Sequence, residues 1–145
     1  MEPINLSNWQ ILIVDDEPDN LSLLHDLLTF FNTVVTDAKS GPEAIELLGS
    51  KSFSMAMIDI QMPTVSGYDV IRSIRESQRL EVKNMLTIAV TANAMPSDRQ
   101  RALSSGFDGY ISKPIDVDRF MSMVQDIVRE RTGINSSESN SGMNR

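Results

Sequence analysis

The sequence predicts an α/β fold in which five parallel strands alternate with five helices. Two observations lead to this prediction. Short apolar runs without polar alternation recur along the chain, which is typical of strands buried on both faces of a parallel sheet. Segments with apolar residues at helical spacing follow these runs after short connections, which favours right-handed crossovers with helices on both faces of the sheet.

The strand predictions rest on apolar or β-branched runs that stop at a polar residue. The runs over residues 10–14 and 55–59 both stop at carboxylates. Residues 33–36 are β-branched enough to form the second strand in chain order. The fourth and fifth strands are predicted over residues 85–90 and 108–112.

Start and stop signals delimit the helices. Pro18 suits the first turn of the first helix, where its missing N–H costs nothing, and Asn32 is expected to end that helix. Ser40 and Glu43 have the spacing of a capping box, and Gly106 is well placed to end the fourth helix. The residues expected to face the core are Leu21, Leu24, Leu27, Leu28, Phe31, Ala44, Ile45, Leu48, Val70, Ile71, Ile74, Phe120, Val124, Ile127 and Val128.

The second half of the chain gives further expectations. The third helix is predicted to begin at Gly67 and to direct Arg72 and Arg75 outward. Residues 77–84 are expected to form a polar connector between the third helix and the fourth strand. Asp116 is expected to cap the last helix.

Length and composition predict one domain. A chain of 145 residues can bury its own core, and we expect the domain to cover residues 10–131 after a polar lead over residues 1–9. Residues 132–145 are rich in Ser and Asn with no apolar face, so we expect a disordered tail. The sequence alone leaves open whether the chain is complete or an excised domain.

Charge and cysteine usage exclude several function classes. The chain has no cysteine, which excludes disulfides and thiolate metal sites. Its net charge of −7 argues against a direct hold on nucleic-acid phosphates. No apolar run is long enough to span a bilayer, and the N-terminus lacks the features of a secretory signal. We therefore expect a cytoplasmic protein that binds neither nucleic acid nor membrane.

Polar residues at the predicted strand ends indicate a functional site. Asp15 and Asp16 follow the first strand, Asp59 ends the third, Thr91 follows the fourth and Lys113 follows the fifth. The carboxyl ends of parallel strands meet at one edge of a sheet, which is where ligands bind in open α/β folds. Clustered carboxylates favour a hard divalent cation such as Mg²⁺, and a carboxylate can itself become phosphorylated. The set predicts a site for in-line phosphoryl transfer.

Four stretches of the chain carry a resemblance to a known family. They are residues 13–18 (IVDDEP), 58–63 (IDIQMP) with Gly67 after them, 90–94 (VTANA) and 109–114 (GYISKP). In this order and spacing the chain resembles the receiver domain of two-component response regulators. The resemblance implies a (βα)5 doubly wound five-stranded parallel sheet with the flavodoxin-like strand order 2-1-3-4-5.

The resemblance also implies roles for the acidic residues. Asp59 would accept a phosphoryl group from the phosphohistidine of a sensor histidine kinase or a phosphotransfer protein. Asp16 would bind Mg²⁺ directly, Asp15 would assist through water, and Asp59 and the backbone carbonyl of Gln61 would complete the protein ligands. The chain would catalyse only its own phosphorylation and dephosphorylation, so it is not expected to be a classical enzyme.

Three further residues would sense the phosphoryl group. The resemblance implies that Thr91 hydrogen-bonds it, that Lys113 pairs with one of its oxygens in front of a cis Lys113–Pro114 bond, and that Tyr110 is an aromatic switch. The face of the fourth helix, fifth strand and fifth helix would then repack for an unknown downstream protein. Its candidate readout residues are Met95, Arg99, Leu103, Tyr110 and Arg119.

Two alternatives remain open at this stage. One is a relay or phosphate-sink receiver module of a hybrid kinase. The other is a Mg²⁺-dependent aspartyl-phosphate phosphatase of the haloacid dehalogenase type, which needs two carboxylates flanking one residue after its first strand; Asp15 and Asp16 are instead adjacent. His25 is expected to be a solvated helix residue, and Ser66 stands where many receiver domains have Asp.

Overall fold

The computed structural model describes residues 3–93 and 95–133 of the chain. Five parallel strands form one sheet in the order β2-β1-β3-β4-β5, which confirms the predicted fold class and strand order. The strands are β1 (Gln10–Val14), β2 (Val34–Ala38), β3 (Met55–Asp59), β4 (Leu86–Thr91) and β5 (Gly109–Ser112). The helices are α1 (Pro18–Thr29), α2 (Gly41–Ser50), α3 (Gly67–Arg75), α4 (Leu80–Lys83), α5 (Pro96–Ser104) and α6 (Val117–Thr132).

The core lies on both faces of the sheet. Every residue of β3 and β4 is buried, as expected for strands covered on two sides. One apolar cluster joins the sheet to α2, α3, α4 and α5, with Leu48, Val70 and Ile74 among its members. The second joins it to α1 and α6 through residues such as Leu24 and Phe120. The sheet therefore holds its polar strand ends on a rigid base.

A sixth helix forms where the sequence predicted a polar connector. The short helix α4 lies inside residues 77–84 because Val82 is buried in the first cluster. Arg79, at its N-cap, donates a hydrogen bond to the carbonyl of Leu48 at the end of α2. The connector prediction was wrong because one apolar residue and one tertiary hydrogen bond order the segment.

Two residues expected in the core are exposed instead. Helix α1 ends at Thr29, and the turn that follows includes Asn32 with a positive φ of 64°. Phe31 therefore lies outside the helix, with 39% of its surface exposed. Ile45 of α2 is 37% exposed. Asp116 is at the N-cap of α6, but its side chain makes no capping hydrogen bond. Gly106 follows the end of α5 with a φ of 116°, a conformation that glycine adopts without steric cost.

The N-terminal lead packs onto the domain. Leu6 is buried in the second cluster, and the buried amide of Gln125 on α6 binds the backbone N–H and carbonyl of Ile4. The domain limits of residues 10–131 stay a prediction, and the predicted tail lies outside the described residues from residue 134 onward. None of the described helices is long and apolar enough to cross a membrane.

Arg75 does not point outward as predicted. Its guanidinium donates hydrogen bonds to Thr87 and to the carboxylate of Asp108, and to three backbone carbonyls, those of Lys83, Met85 and Gly106. Arg131 of α6 binds the other oxygen of Asp108 at 2.8 Å. This arginine–aspartate cluster joins α3, the loop after α4, β4, β5 and α6.

We expect Arg75→Ala to lower the free energy of unfolding by about 2–4 kcal/mol, because it leaves two partly buried carbonyls, those of Met85 and Gly106, and one oxygen of the mostly buried Asp108 carboxylate without their partner. The matched control is Arg72→Ala, whose side chain is 65% exposed and should cost about 0.5 kcal/mol or less. Urea unfolding followed by circular dichroism measures both values. Equal losses in the two variants would contradict a structural role for the cluster.

Candidate functional site

The predicted site residues meet at one edge of the sheet. Parallel strands bring their carboxyl ends to the same side, so the residues that follow β1 and β5 lie beside those that end β3 and β4. The register aligns Asp59 of β3 with Val90 of β4, and the next residue, Thr91, aligns with Ser112 of β5. Lys113 comes directly after that pair, and Asp15 comes directly after β1.

Three carboxylates converge at this edge. Asp15, Asp16 and Asp59 each offer an oxygen, and these oxygens all lie within 4.8 Å of one another. Asp15 is fully buried and Asp59 is 3% exposed, whereas Asp16 is open to solvent. The site therefore has two acids on its floor and one at its mouth, which is an arrangement of hard oxygen donors that suits a divalent cation.

Lys113 reaches the two buried acids. Its Nζ atom lies 2.9 Å from Oδ2 of Asp15 and 3.4 Å from Oδ1 of Asp59, and its side chain is 12% exposed. Burial alone would lower the pKa of Lys113, but the hydrogen bond and charge of Asp15, with those of Asp59, raise it above its usual value. The lysine is held as a cation, and it balances one of the two buried negative charges.

Asp59 is the acid whose protonation is most perturbed. Burial, followed by the charge of Asp15, raises the pKa of Asp59 from 3.8 to about 6. The Lys113 charge and the backbone N–H of Gln61, which donates to Oδ1 of Asp59 at 3.2 Å, oppose this increase. The Asp59 carboxylate is therefore poorly solvated, and it loses its proton at a higher pH than an exposed aspartate does.

Glycine at position 67 allows the loop after β3 to close over this acid. A Cβ atom on Gly67 would lie 2.5 Å from the carbonyl oxygen of Asp59, too close for any other residue without a shift of the backbone. Ser66 caps α3, with Asp69 completing a reciprocal capping box. Ser66, which stands where many receiver domains have Asp, thus orders the start of α3. This capping role was not among the predictions from the sequence.

Thr91 is buried beside a cavity of about 420 Å³. Its Oγ1 accepts a hydrogen bond of 3.2 Å from the backbone N–H of Asn93. Gln61, Asn93 and Arg101 also line the cavity. Arg101 lies over the ring of Tyr68, 4.2 Å from its centroid. No motif in the sequence marked this cation–π pair, because its two partners are far apart in the chain.

The aromatic switch candidate, Tyr110, packs against the first core cluster. Its hydroxyl oxygen is buried and makes no hydrogen bond within the described part of the chain. Burial raises the pKa of the Tyr110 hydroxyl, with further contributions from Asp98 and Tyr68. A buried hydroxyl without a partner is costly, so a rearrangement that gives this oxygen a hydrogen bond would lower the free energy of the side chain. The cis Lys113–Pro114 bond that the resemblance implied is confirmed.

His25 lies on α1 and is not part of the acidic cluster. Its Nδ1 atom is 3.0 Å from Oδ1 of Asp37 on β2, and the two side chains are 41% and 35% exposed. The histidine is thus half exposed and paired, rather than simply solvated.

Comparisons with known proteins agree with one another. Residues 11–125 match the model of the response regulator receiver domain family. The chain is 38% identical over 120 residues to an uncharacterised 14.6 kDa protein of Leptolyngbya boryana, covering 83% of this chain and 90% of that protein. It is 35% identical over 115 residues to the polar-differentiation response regulator DivK of Brucella ovis, covering 79% and 92%.

A solved structure gives the same result. The receiver domain of the sensor histidine kinase PA1611 from Pseudomonas aeruginosa superposes with a TM-score of 0.74 at 26% identity. The match covers 88% of this chain and all of that one, and that structure has a magnesium ion coordinated in its active-site cleft.

The raised pKa of Asp59 predicts that, with divalent cations removed by a chelator, the stability of the fold depends on pH. The folded protein keeps the Asp59 proton up to about pH 6, whereas the unfolded chain loses it near 3.8, so stability falls as the pH rises between these values. We expect Asp59→Asn to be more stable than the wild type by up to about 3 kcal/mol at pH 7.5, and by much less near pH 4. Urea unfolding at the two pH values measures the difference. Asp126→Asn is the control, since its side chain is 77% exposed and should change little.

Proposed function

Because the chain belongs to the response regulator receiver domain family, we propose that it is a phosphoacceptor of a two-component phosphorelay and that Asp59 takes the phosphoryl group. The observation that carries this proposal is the buried Asp59 carboxylate at the end of β3, with Lys113 at 3.4 Å and two further acids beside it. A receiver domain is a signalling switch rather than a classical enzyme. The proposed donors are a sensor histidine kinase or a phosphotransfer protein.

The donor set at the site fits Mg²⁺. Two buried carboxylates face a single ammonium group and a third acid lies at the mouth, so the cluster keeps a net negative charge that a hard cation would balance. We propose that Asp16 and Asp59 bind the ion directly, that Asp15 assists, and that the carbonyl of Gln61 completes the set. When bound, Mg²⁺ would offset the negative charge of the phosphoryl oxygens.

The side chains of this site have separate tasks in the proposed transfer. A carboxylate oxygen of Asp59 attacks the phosphorus of the phosphohistidine, the P–N bond breaks, and the imidazole leaves with its electron pair. Lys113 exchanges one of its carboxylate contacts for an oxygen of the transferred group. The Thr91 hydroxyl, now an acceptor from Asn93, turns to donate to another oxygen.

The proposed output surface is formed by α5, β5 and α6, the elements predicted as the fourth helix, fifth strand and fifth helix. Met95 and Leu103 expose 64% and 41% of their surface there, and Tyr110 lies behind them with its buried hydroxyl. Thr91 and Lys113 connect this surface to Asp59. A change in the contacts of Thr91 and Lys113 would shift the populations of the conformations of Tyr110 and of the surface in front of it. Arg99 and Arg119 stay candidates for binding a downstream protein at this surface. We propose no direct contact of the chain with nucleic acid or membrane.

A second candidate role is a relay or phosphate-sink module, as in a hybrid kinase. The similarity to the receiver domain of the kinase PA1611 supports it, whereas the similarity to DivK along 92% of that regulator supports a role as a separate response regulator. The adjacent Asp15 and Asp16, together with an acceptor on the third strand, give no support to the phosphatase alternative. The cytoplasmic location stays a prediction.

We expect the wild-type protein to incorporate up to one phosphoryl group per chain from acetyl phosphate with Mg²⁺, and Asp59→Asn to incorporate none, because the amide is not a nucleophile. Asp37→Asn is the control and should be labelled like the wild type, since Asp37 pairs with His25 and is not one of the three clustered carboxylates. Intact mass spectrometry or Phos-tag electrophoresis measures the label. Full labelling of Asp59→Asn would exclude this acceptor, and sustained hydrolysis of phosphate esters would favour a phosphatase.

We expect Asp16→Asn to weaken Mg²⁺ binding about tenfold or more, because it removes a charged oxygen ligand from the mouth of the site. Asp19→Asn in the first turn of α1 is the matched control and should bind as the wild type does. Isothermal titration calorimetry at neutral pH gives both affinities. Unchanged binding in Asp16→Asn would mean that the ion is held elsewhere.

A further inference from the structure

A groove lies at the opposite end of the molecule from the acidic site. It is bounded by the N-terminal lead, the residues after α1 and one side of α6, and its volume is about 600 Å³. We call it the lead groove; its lining includes Ile4, Leu6, Phe30, Phe31, Met121 and Gln125. These segments precede β1 and β2, so they lie at the amino ends of the strands, whereas the three carboxylates lie at the carboxyl ends.

The wall of the lead groove is held in place by specific hydrogen bonds. The side-chain amide of Gln125, 7% exposed, accepts from the Ile4 N–H and donates to the Ile4 carbonyl. The Asn8 N–H donates to the carbonyl of Asn32 at 2.8 Å, which joins the lead to the turn after α1. The groove is therefore a fixed part of the fold and not a gap beside a loose terminus.

Two aromatic side chains stand at the edge of this groove without cover. Phe30 is 82% exposed and Phe31 is 39% exposed, and their rings meet edge to face with centroids 5.4 Å apart. Half-buried Ile4 and Met121 continue the apolar surface along the groove. Large apolar patches of this kind on a folded domain mark interaction sites more often than scattered single residues do.

Exposed acidic side chains lie around the groove. Asp126 lines it with a side chain 77% exposed, Glu130 lies one turn further along α6, and Asp26 lies one turn before Phe30 on α1. Among the described residues that line the groove the one cation is Arg129, which is 15% exposed and lies 3.5 Å from the Asp126 carboxylate. A partner that covers the aromatic pair would therefore meet carboxylates, which favours Lys or Arg on its flanks.

The backbone of the lead favours a helix over an added strand. Four of the backbone polar groups that strand addition would use are already bonded: both of those of Ile4 to Gln125, the Ser7 N–H to Asn5 and the Leu6 carbonyl to Trp9. The α6 side of the groove runs from residue 121 to residue 129. At 1.5 Å per residue this is about 12 Å, the length over which a helix presents apolar side chains at i, i+3 or i+4, and i+7.

We propose that the lead groove binds an amphipathic helix of a partner protein, with apolar side chains against Phe30, Phe31 and Met121 and basic residues over Asp126 and its acidic neighbours. This second interaction surface is separate from the α5–β5–α6 surface and does not depend on phosphorylation of Asp59.

The test uses the 145-residue chain and a fluorescein-labelled helical peptide about four turns long, with Leu and Phe on one face and Lys on the other. One control peptide has the same composition with its apolar residues scattered, and a second has Glu in place of Lys. Fluorescence anisotropy gives the affinities, and ¹H–¹⁵N spectra of the labelled protein locate the contact. We expect binding of the first peptide alone, with amide shifts concentrated in residues 4–7, 30–32 and 121–129.

Variants make the test specific. Phe30→Ser removes an exposed ring and should weaken binding about tenfold or more, and Asp126→Lys should weaken it in a salt-dependent way. Val117→Ser and Leu80→Ser are matched controls, because these residues are 53% and 66% exposed on other parts of the surface. Both controls should bind as the wild type does.

Several results would overturn the proposal. Equal binding of the scattered peptide, unchanged binding by Phe30→Ser, or amide shifts confined to α5 and β5 would each exclude the groove as a helix site. Groove amides that shift on dilution of the protein alone would assign the surface to a second copy of the chain. Nuclear Overhauser contacts between the groove and residues 134–145 would assign it to the chain's own C-terminal segment.

Discussion

The contact between Lys113 and two buried carboxylates is the interaction on which the functional edge depends. Asp15 and Asp59 are held side by side by neighbouring strands of a rigid sheet, and each would raise the free energy of the other's charge. One ammonium group between them reduces this cost without removing it. The site is thus built with an unbalanced charge, and it responds to whatever changes that balance, which includes a cation, a proton or a phosphoryl group.

Much of this edge follows from the sequence because strand ends are determined by topology. Once five apolar runs are assigned to one parallel sheet, residues such as Asp59 and Thr91 must share an edge, whatever the details of packing. The same reasoning gives the strand order only with the help of the family resemblance. The close approach of Gly67 to the Asp59 carbonyl depends on a loop conformation that local patterns do not specify, whereas the spacing of Ser66 and Asp69 is itself the pattern of a capping box.

The errors have a common physical origin in tertiary contacts. Arg75 was predicted to face solvent from helical periodicity, but Asp108, 33 residues later, and the carbonyls near it draw its side chain inward. Phe31 fits the apolar stripe of α1 by spacing, yet the helix stops at Thr29, so the ring leaves the stripe. Burial of Val82 and the hydrogen bond from Arg79 to the Leu48 carbonyl turn a polar segment into helix α4. The helical spacing of apolar residues predicts which side chains face the core only as long as the helix continues. It does not show where the helix ends, or which distant residues draw a side chain inward.

The arginine–aspartate cluster has a mechanical consequence for α6. Arg131, at the far end of this helix, is bound to Asp108 and to the carbonyl of Asn84, and Gln125 near its middle is bound to Ile4. The other end follows Lys113 and Pro114, beside the acids. Helix α6 is thus held at its C-terminal end by hydrogen bonds and joined at its N-terminal end to a site that responds to charge, so it would pivot about its C-terminal end. Displacements would be largest near Val117 and smallest near Arg131, so surfaces along one helix would differ in how strongly they feel the same event.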